Sequence, residues 1–188
     1  TALTKTDAAY TSLSPVYPAQ STGRRAALAR WIASRNNPLT ARVAVNHLWL
    51  RHFGTALVDS VFDFGRNGKA PTHPELLDWL AVEFMESDWS QKHLHRLIVT
   101  SRTYRQSSAT VGEAYAHNRG IDPDDRYYWR FAARRLEAEA IRDSLLAVAN
   151  QLDATVGGKE LEVDLDGKTA RRSLYYSSHP EDGGRLAV

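Results

Sequence analysis

PLTARVAVNHLWLRHFG (38–54), HPELLDWLAVEFMES (73–87) and SQKHLHRLIVTSRTY (90–104) carry the densest apolar periodicity in the chain. Each reads as a helix. In the first, Asn37 caps and Pro38 takes the opening position, where a missing N–H costs nothing. Gly54 supplies the left-handed residue that stops it. Val45, Trp49 and Phe53 line one face, with Ala44 and Leu48 beside them, so this helix is expected at the centre of the fold. In the second, Thr72 and Glu75 have capping-box spacing, and Pro74 lies in the tolerant first turn. Leu76, Leu77, Leu80, Ala81 and Phe84 form its apolar face. The third starts at Ser90, with Trp89 and Leu94 placed as a hydrophobic staple and Leu94, Leu97 and Ile98 pointing inward.

Outward from this block the signals weaken. Residues 1–20 are polar and small, with Pro15 and Pro18, and read as an extended lead-in pinned by Tyr10 and Tyr17, a linker within a longer polypeptide. Ser21 or Thr22 caps a helix over Arg24–Arg35, where Leu28, Trp31 and Ile32 give a stripe. Residues 55–72 form a long loop, and 107–125 a second. YYWRF (127–131) reads as a short strand or an extended packed segment. A fifth helix covers about Arg134–Leu152, with Ile141, Leu145, Val148 and Leu152 on one face and Glu139 paired to Arg142. LEVDL (161–165), a turn at Asp166 and Gly167, and SLYYS (173–177) predict a small β-hairpin. The expected architecture is mainly α: an irregular bundle of about five helices with that hairpin near the C-terminus. It forms a single domain over 21–177, followed by a flexible tail over 178–188.

Composition narrows function mostly by exclusion. The 188 residues carry 24 basic and 22 acidic side chains, a net charge of +2, too balanced to imply a nucleic-acid binder by itself. There is no cysteine, which removes disulfides, thiolate metal sites and covalent haem attachment. No apolar run nears the roughly 18 residues of a membrane span. His93 and His95 are two apart, so on a helix they diverge by about 200° and cannot share an ion without a third element. The H-E-x-x-H metal motif and the G-x-S-x-G elbow are absent. Neither GRNGK (65–69) nor VGGKE (156–160) completes a phosphate loop. No metal and no cofactor is therefore assigned to this chain.

The first loop holds the best candidates for a ligand site. Asp63, Arg66 and Asn67 sit in a glycine-bearing turn, a carboxylate and a guanidinium able to orient a polar ligand. His73 follows at a helix N-terminus, where N–H groups face an anion or a substrate oxygen. His52 and Arg105 are candidates to join them. The competing reading is that Asp63 and Arg66 tie the loop down. Asn46, among apolar neighbours on the central helix, reads as a buried polar residue that fixes packing. Arg and Tyr cluster at 102–105, 126–135 and 171–176. The interleaved Asp122, Asp124, Asp125, Glu137 and Glu139 make internal ion pairs the simpler account of those clusters.

The stretches RWIASRNNPLTARVAVNHLWLRHFG (30–54), FDFGRNGKAPTHPELLDWLAVEFMESDWSQKHLHRLIVTSRTYRQSS (62–108) and RRLEAEAIRDSLLAVANQLD (134–153) together resemble the planctomycete-specific domain PSD-one, a domain of unknown function. The resemblance covers roughly residues 20–177. It implies a piece of a large exported, periplasmic or cell-surface protein, often with a c-type cytochrome domain nearby, and a domain that continues beyond this tail. It implies no reaction and carries over no catalytic residues. The expectation is a non-catalytic packing or interaction domain whose partners are neighbouring domains of the same polypeptide. One alternative is an enzyme or carbohydrate-binding domain using the 63–73 loop. Another is a polyanion-binding module.

Overall fold

The computed structural model describes residues 23–162 and 168–177. It divides at Ala133/Arg134 into two compact units. Among the described residues the regular structure is six α-helices, one 3-10 turn and two isolated bridges. The fold is mainly helical.

The first unit contains α1 (Arg24–Ile32), α2 (Thr40–Phe53), α3 (Pro74–Glu86), α4 (Gln91–Thr100) and α5 (Glu113–Ile121). Its core is where α2, α3 and α4 meet. Val45, Trp49 and Phe53 from α2 pack with Leu77, Leu80, Ala81 and Phe84 from α3 and with Leu94 and Ile98 from α4. Each large apolar side chain buried there contributes about 1.5–3 kcal/mol. The central place expected for α2 is what the structure has. Asn37 Oδ1 accepts the N–H groups of Leu39 (2.9 Å) and Thr40 (3.4 Å), so it caps the turn that leads into α2. Gly54 ends the helix at φ 79°. Ser90 Oγ accepts His93 N–H at 3.3 Å and caps α4.

Several local expectations are corrected. Thr72 does not cap α3; its hydroxyl donates to Leu57 O (3.2 Å), and His73 takes the capping position without a side-chain bond. That bond ties the incoming loop to the core instead. On α1 only Trp31 is buried, while Ile32 is exposed, because one turn of contact anchors so short a helix. Residues 107–125 are not all loop. They include α5, which buries no residue and so leaves no apolar stripe to read. Residues 127–131 form no strand; Tyr128 bends the backbone at φ 52°.

The second unit contains α6 (Ala138–Val148) and the 3-10 turn Ser173–Tyr175. Among the described residues no hairpin is formed, and residues 163–167, the rest of its first strand and its turn, lie outside them. SLYYS coils, and Leu161 meets Tyr176 in an isolated parallel bridge, as Asp153 meets Arg171. The polar side of α6 does the anchoring. Arg142 donates to Thr169 O (2.6 Å) and Arg171 O (2.9 Å) rather than pairing with Glu139. Asp143 Oδ1 accepts from Ser173 N–H (2.8 Å) and Oγ–H (2.7 Å). Held from that side, the helix leaves Ile141, Leu145 and Val148 exposed, the last at 89%. The predicted anchors Tyr10 and Tyr17, the cap at Ser21 or Thr22, the turn at Asp166 and Gly167, and the tail over 178–188 lie outside the described residues.

Candidate functional site

The loop after α2 is built from its own polar groups. Ser60 Oγ donates to Asp63 O (2.7 Å) and accepts Lys69 N–H (2.8 Å). Asp63 Oδ1 accepts Gly65 N–H at 2.7 Å. The Asp63 carboxylate is thus engaged with the loop backbone, while Arg66 and Asn67 are exposed. His73 Nδ1 lies 3.0 Å from Thr72 Oγ1, and its ring faces Tyr128 at 5.5 Å. His52 is elsewhere: its Nε2 lies 2.7 Å from His95 Nδ1, and its ring meets Tyr104 edge-on. Arg105 Nε donates back to Ser101 O at 3.4 Å. Asp63, Arg66 and Asn67 thus share one turn, while His73, His52 and Arg105 have the partners just given. None of these six lines the two concave surfaces described next. His93 Nε2 contacts Glu83 Oε1 at 2.6 Å. Among the described residues no group of three or more His, Cys, Asp or Glu is placed to hold a metal ion.

Asn46 is fully buried. Its Nδ2 donates to Val58 O (3.0 Å) and its Oδ1 accepts Val58 N–H (2.9 Å). A side-chain amide thus completes a backbone pair and pins the loop to α2.

Two concave surfaces flank that pinned loop. One is a groove of about 330 Å³. Its walls are Leu39, Val58, Phe64, Pro71, Pro74 and Leu77, with Pro38 at one end. Arg42, Asp78 and Lys69 supply its polar edge. Arg42 Nε and Asp78 Oδ1 pair at 2.5 Å. That hydrogen bond to Arg42 holds the Asp78 carboxyl below its ordinary value, with the guanidinium charge adding to it.

The other is a polar cleft of about 220 Å³ bounded by Thr55, Asp59, Thr72, Asp124, Arg126 and Tyr128. A smaller hollow of about 90 Å³ adjoins it, shares Thr55, Asp124, Asp125 and Tyr128, and adds Phe53, Pro123 and Ala132. The segment that bounds it starts at Asp122, a buried carboxylate. Asp122 accepts Arg126 N–H (3.0 Å) and Tyr127 N–H (2.8 Å), and its carbonyl accepts Trp129 Nε1–H (2.9 Å). Asp122 is thus satisfied by backbone N–H groups, and Asp125 Oδ1 accepts Arg130 N–H at 3.4 Å, where the sequence suggested ion pairs. Tyr128 Oη accepts Trp49 Nε1–H at 2.9 Å, and Gln106 Nε2 donates to Tyr128 O at 2.7 Å. Burial raises the Asp125 carboxyl above its ordinary value, partly opposed by the backbone N–H and the charge of Arg130. Burial likewise raises the Tyr128 phenol, against hydrogen bonds with Thr55 and Trp49. The sequence reading noticed Asp124, Asp125 and Arg126 only as one of several charge clusters. The turn chemistry of Asp122-Pro123-Asp124-Asp125 was the available signal.

These features define a mainly helical domain whose described residues include an apolar groove and a polar cleft beside the 55–72 loop. The chain belongs to the PSD1 family, described as proteins of unknown function (DUF1553), whose model matches residues 24–182. No curated protein and no solved structure matches the chain. No helix among the described residues is long and apolar enough to cross a membrane.

Proposed function

We propose that this chain is a non-catalytic interaction domain of a larger exported, multidomain protein. Its groove would receive an apolar segment of a neighbouring domain of the same polypeptide. The observation that carries this reading is the groove's make-up: apolar walls from Leu39, Val58, Phe64 and three prolines inside a charged edge of Arg42, Asp78 and Lys69. That is the anatomy of a protein interface, with an apolar centre and a polar rim. The prolines cost little further ordering on contact, since their backbone is already restricted. The resemblance to exported, cytochrome-linked proteins supports a c-type cytochrome domain as the neighbour. Any haem would then belong to that domain.

The test is a titration of the isotope-labelled chain with the separately produced cytochrome domain of the same polypeptide. Resonance changes are expected at Leu39, Phe64 and Leu77. Lys69→Glu at the rim is expected to slow association without altering the fold. Absence of any change at these residues, or turnover of a substrate by the isolated chain, would sink the reading.

A further inference from the structure

We propose that the cleft bounded by Thr55, Asp124, Asp125, Arg126 and Tyr128 binds a neutral polyhydroxylated ligand, a single sugar ring or the end of a glycan. This site is separate from the groove. Lys69 edges the groove and Asp59 the cleft, and the two side chains pair at 3.3 Å between them.

The chemistry of the lining selects the ligand. Asp124 and Asp125 offer carboxylate oxygens, which only accept; Arg126 offers guanidinium N–H groups, which only donate. The Thr55 hydroxyl does both. A vicinal diol is the small group that donates to the first and accepts from the second at once. Charge-assisted bonds of this kind are about twice as strong as neutral ones. Beside these polar groups lie Phe53, Pro123, Ala132 and the Tyr128 ring, a surface for the C–H face of a sugar.

Other ligand classes fit less well. An inorganic anion would face the carboxylates of Asp59, Asp124 and Asp125. An organic cation would face Arg126, with Arg130 in the adjoining hollow. Asp59, Asp124 and Asp125 all line the cleft but do not form a group placed to hold a metal ion. A neutral ligand carrying both donors and acceptors uses both signs of charge. The two hollows, about 220 Å³ and about 90 Å³, are each smaller than the roughly 300–1,000 Å³ of small-ligand sites, which limits the occupant to about one ring. The walls are also preorganised. Asp122 fixes the 122–129 turn, and the Trp49–Tyr128 bond ties that turn to α2. Binding then orders little of the protein.

The experiment is an amide-resonance titration of the chain with methyl glycosides of glucose, galactose and mannose and with N-acetylglucosamine, each in the millimolar range. Methylamine, inorganic phosphate and calcium chloride are run as controls. At least one sugar is expected to shift Thr55 and residues 124–128. Asp124→Ala and Arg126→Ala are each expected to weaken that binding about tenfold or more. Both side chains are exposed, so both variants should keep the parent's fluorescence-monitored melting curve. Thr55→Val supplies a third, uncharged variant. Failure of every sugar, binding that survives all three substitutions, or occupation of the cleft by methylamine, phosphate or calcium alone would overturn the proposal. None of those results bears on the groove.

Discussion

Replacing Asn46 by alanine is expected to destabilise the first unit by about 3–4 kcal/mol. Two hydrogen bonds disappear, Nδ2–H to Val58 O at 3.0 Å and Val58 N–H to Oδ1 at 2.9 Å. The side chain is fully buried and Val58 is 2% exposed, so water does not readily replace either partner. A buried peptide group left unsatisfied costs about 1–3 kcal/mol, and here there are two. A domain of this size has about 5–15 kcal/mol in all, so the loss is a large fraction. Asn46→Asp sharpens the argument. Its carboxylate would accept Val58 N–H but oppose Val58 O, and burial would raise its pKa in the folded state. Stability would therefore be retained in acid, where the protonated group donates to Val58 O, and lost as pH rises through the raised pKa. Urea denaturation followed by tryptophan fluorescence is the assay, since all five tryptophans precede Ala133 and report on this unit alone. A cost below about 1 kcal/mol for the alanine variant, or an aspartate variant whose pH profile parallels the parent's, would refute the reasoning.

Tyr128→Phe removes the acceptor for buried Trp49 Nε1–H; a loss of about 1–3 kcal/mol is expected in urea denaturation, with a change in Trp49 emission. Asp125 has a raised carboxyl pKa caused by burial, so its ionisation lowers stability as pH rises through that value. Asp125→Asn should gain on the parent from about pH 4 to neutrality, and a pH-independent difference would contradict this. Gly68→Ala would drive a Cβ into the Asp63 carbonyl, so faster hydrogen exchange at Gly65 and Lys69 is expected. A double-mutant cycle with His52→Phe and His95→Leu should return a coupling of about 0.5–1.5 kcal/mol at neutral pH. Strict additivity would mean that the 2.7 Å contact contributes nothing.

The central helices were legible because burial itself writes their periodicity. Val45, Trp49 and Phe53 are four apart, and all three lie inside. The same rule failed for α6, whose stripe of Ile141, Leu145 and Val148 is exposed. There the anchoring is done by Arg142 and Asp143, which hydrogen-bond to the 169–173 segment. A periodic apolar face shows that a helix can form; it does not say which face the rest of the chain takes up. α5 was missed for the converse reason. Its Tyr115 meets Trp129 and the Arg130 guanidinium, and a single aromatic has no period. The hairpin failed because period-two alternation over five residues is weak evidence for pairing, and SLYYS closes on itself as a 3-10 turn.

The candidate sites follow the same logic. Asp63, Arg66 and Asn67 looked suitable because they are close in sequence, yet a short polar run in a glycine-bearing loop first has its own backbone to satisfy. Asp63 does that with Gly65 N–H. The groups around the cleft come instead from two stretches far apart in the chain, 55–72 and 124–128, the second of them tied to α2 by the Trp49–Tyr128 hydrogen bond. Such a pairing is invisible to local spacing. It depends on the tryptophan indole finding a buried acceptor, which its polar N–H requires once the ring is inside the core. Trp49 therefore links the two levels: its ring was readable as core from the helix period. Its N–H, which the period says nothing about, fixes the wall against which the proposed ligand would rest.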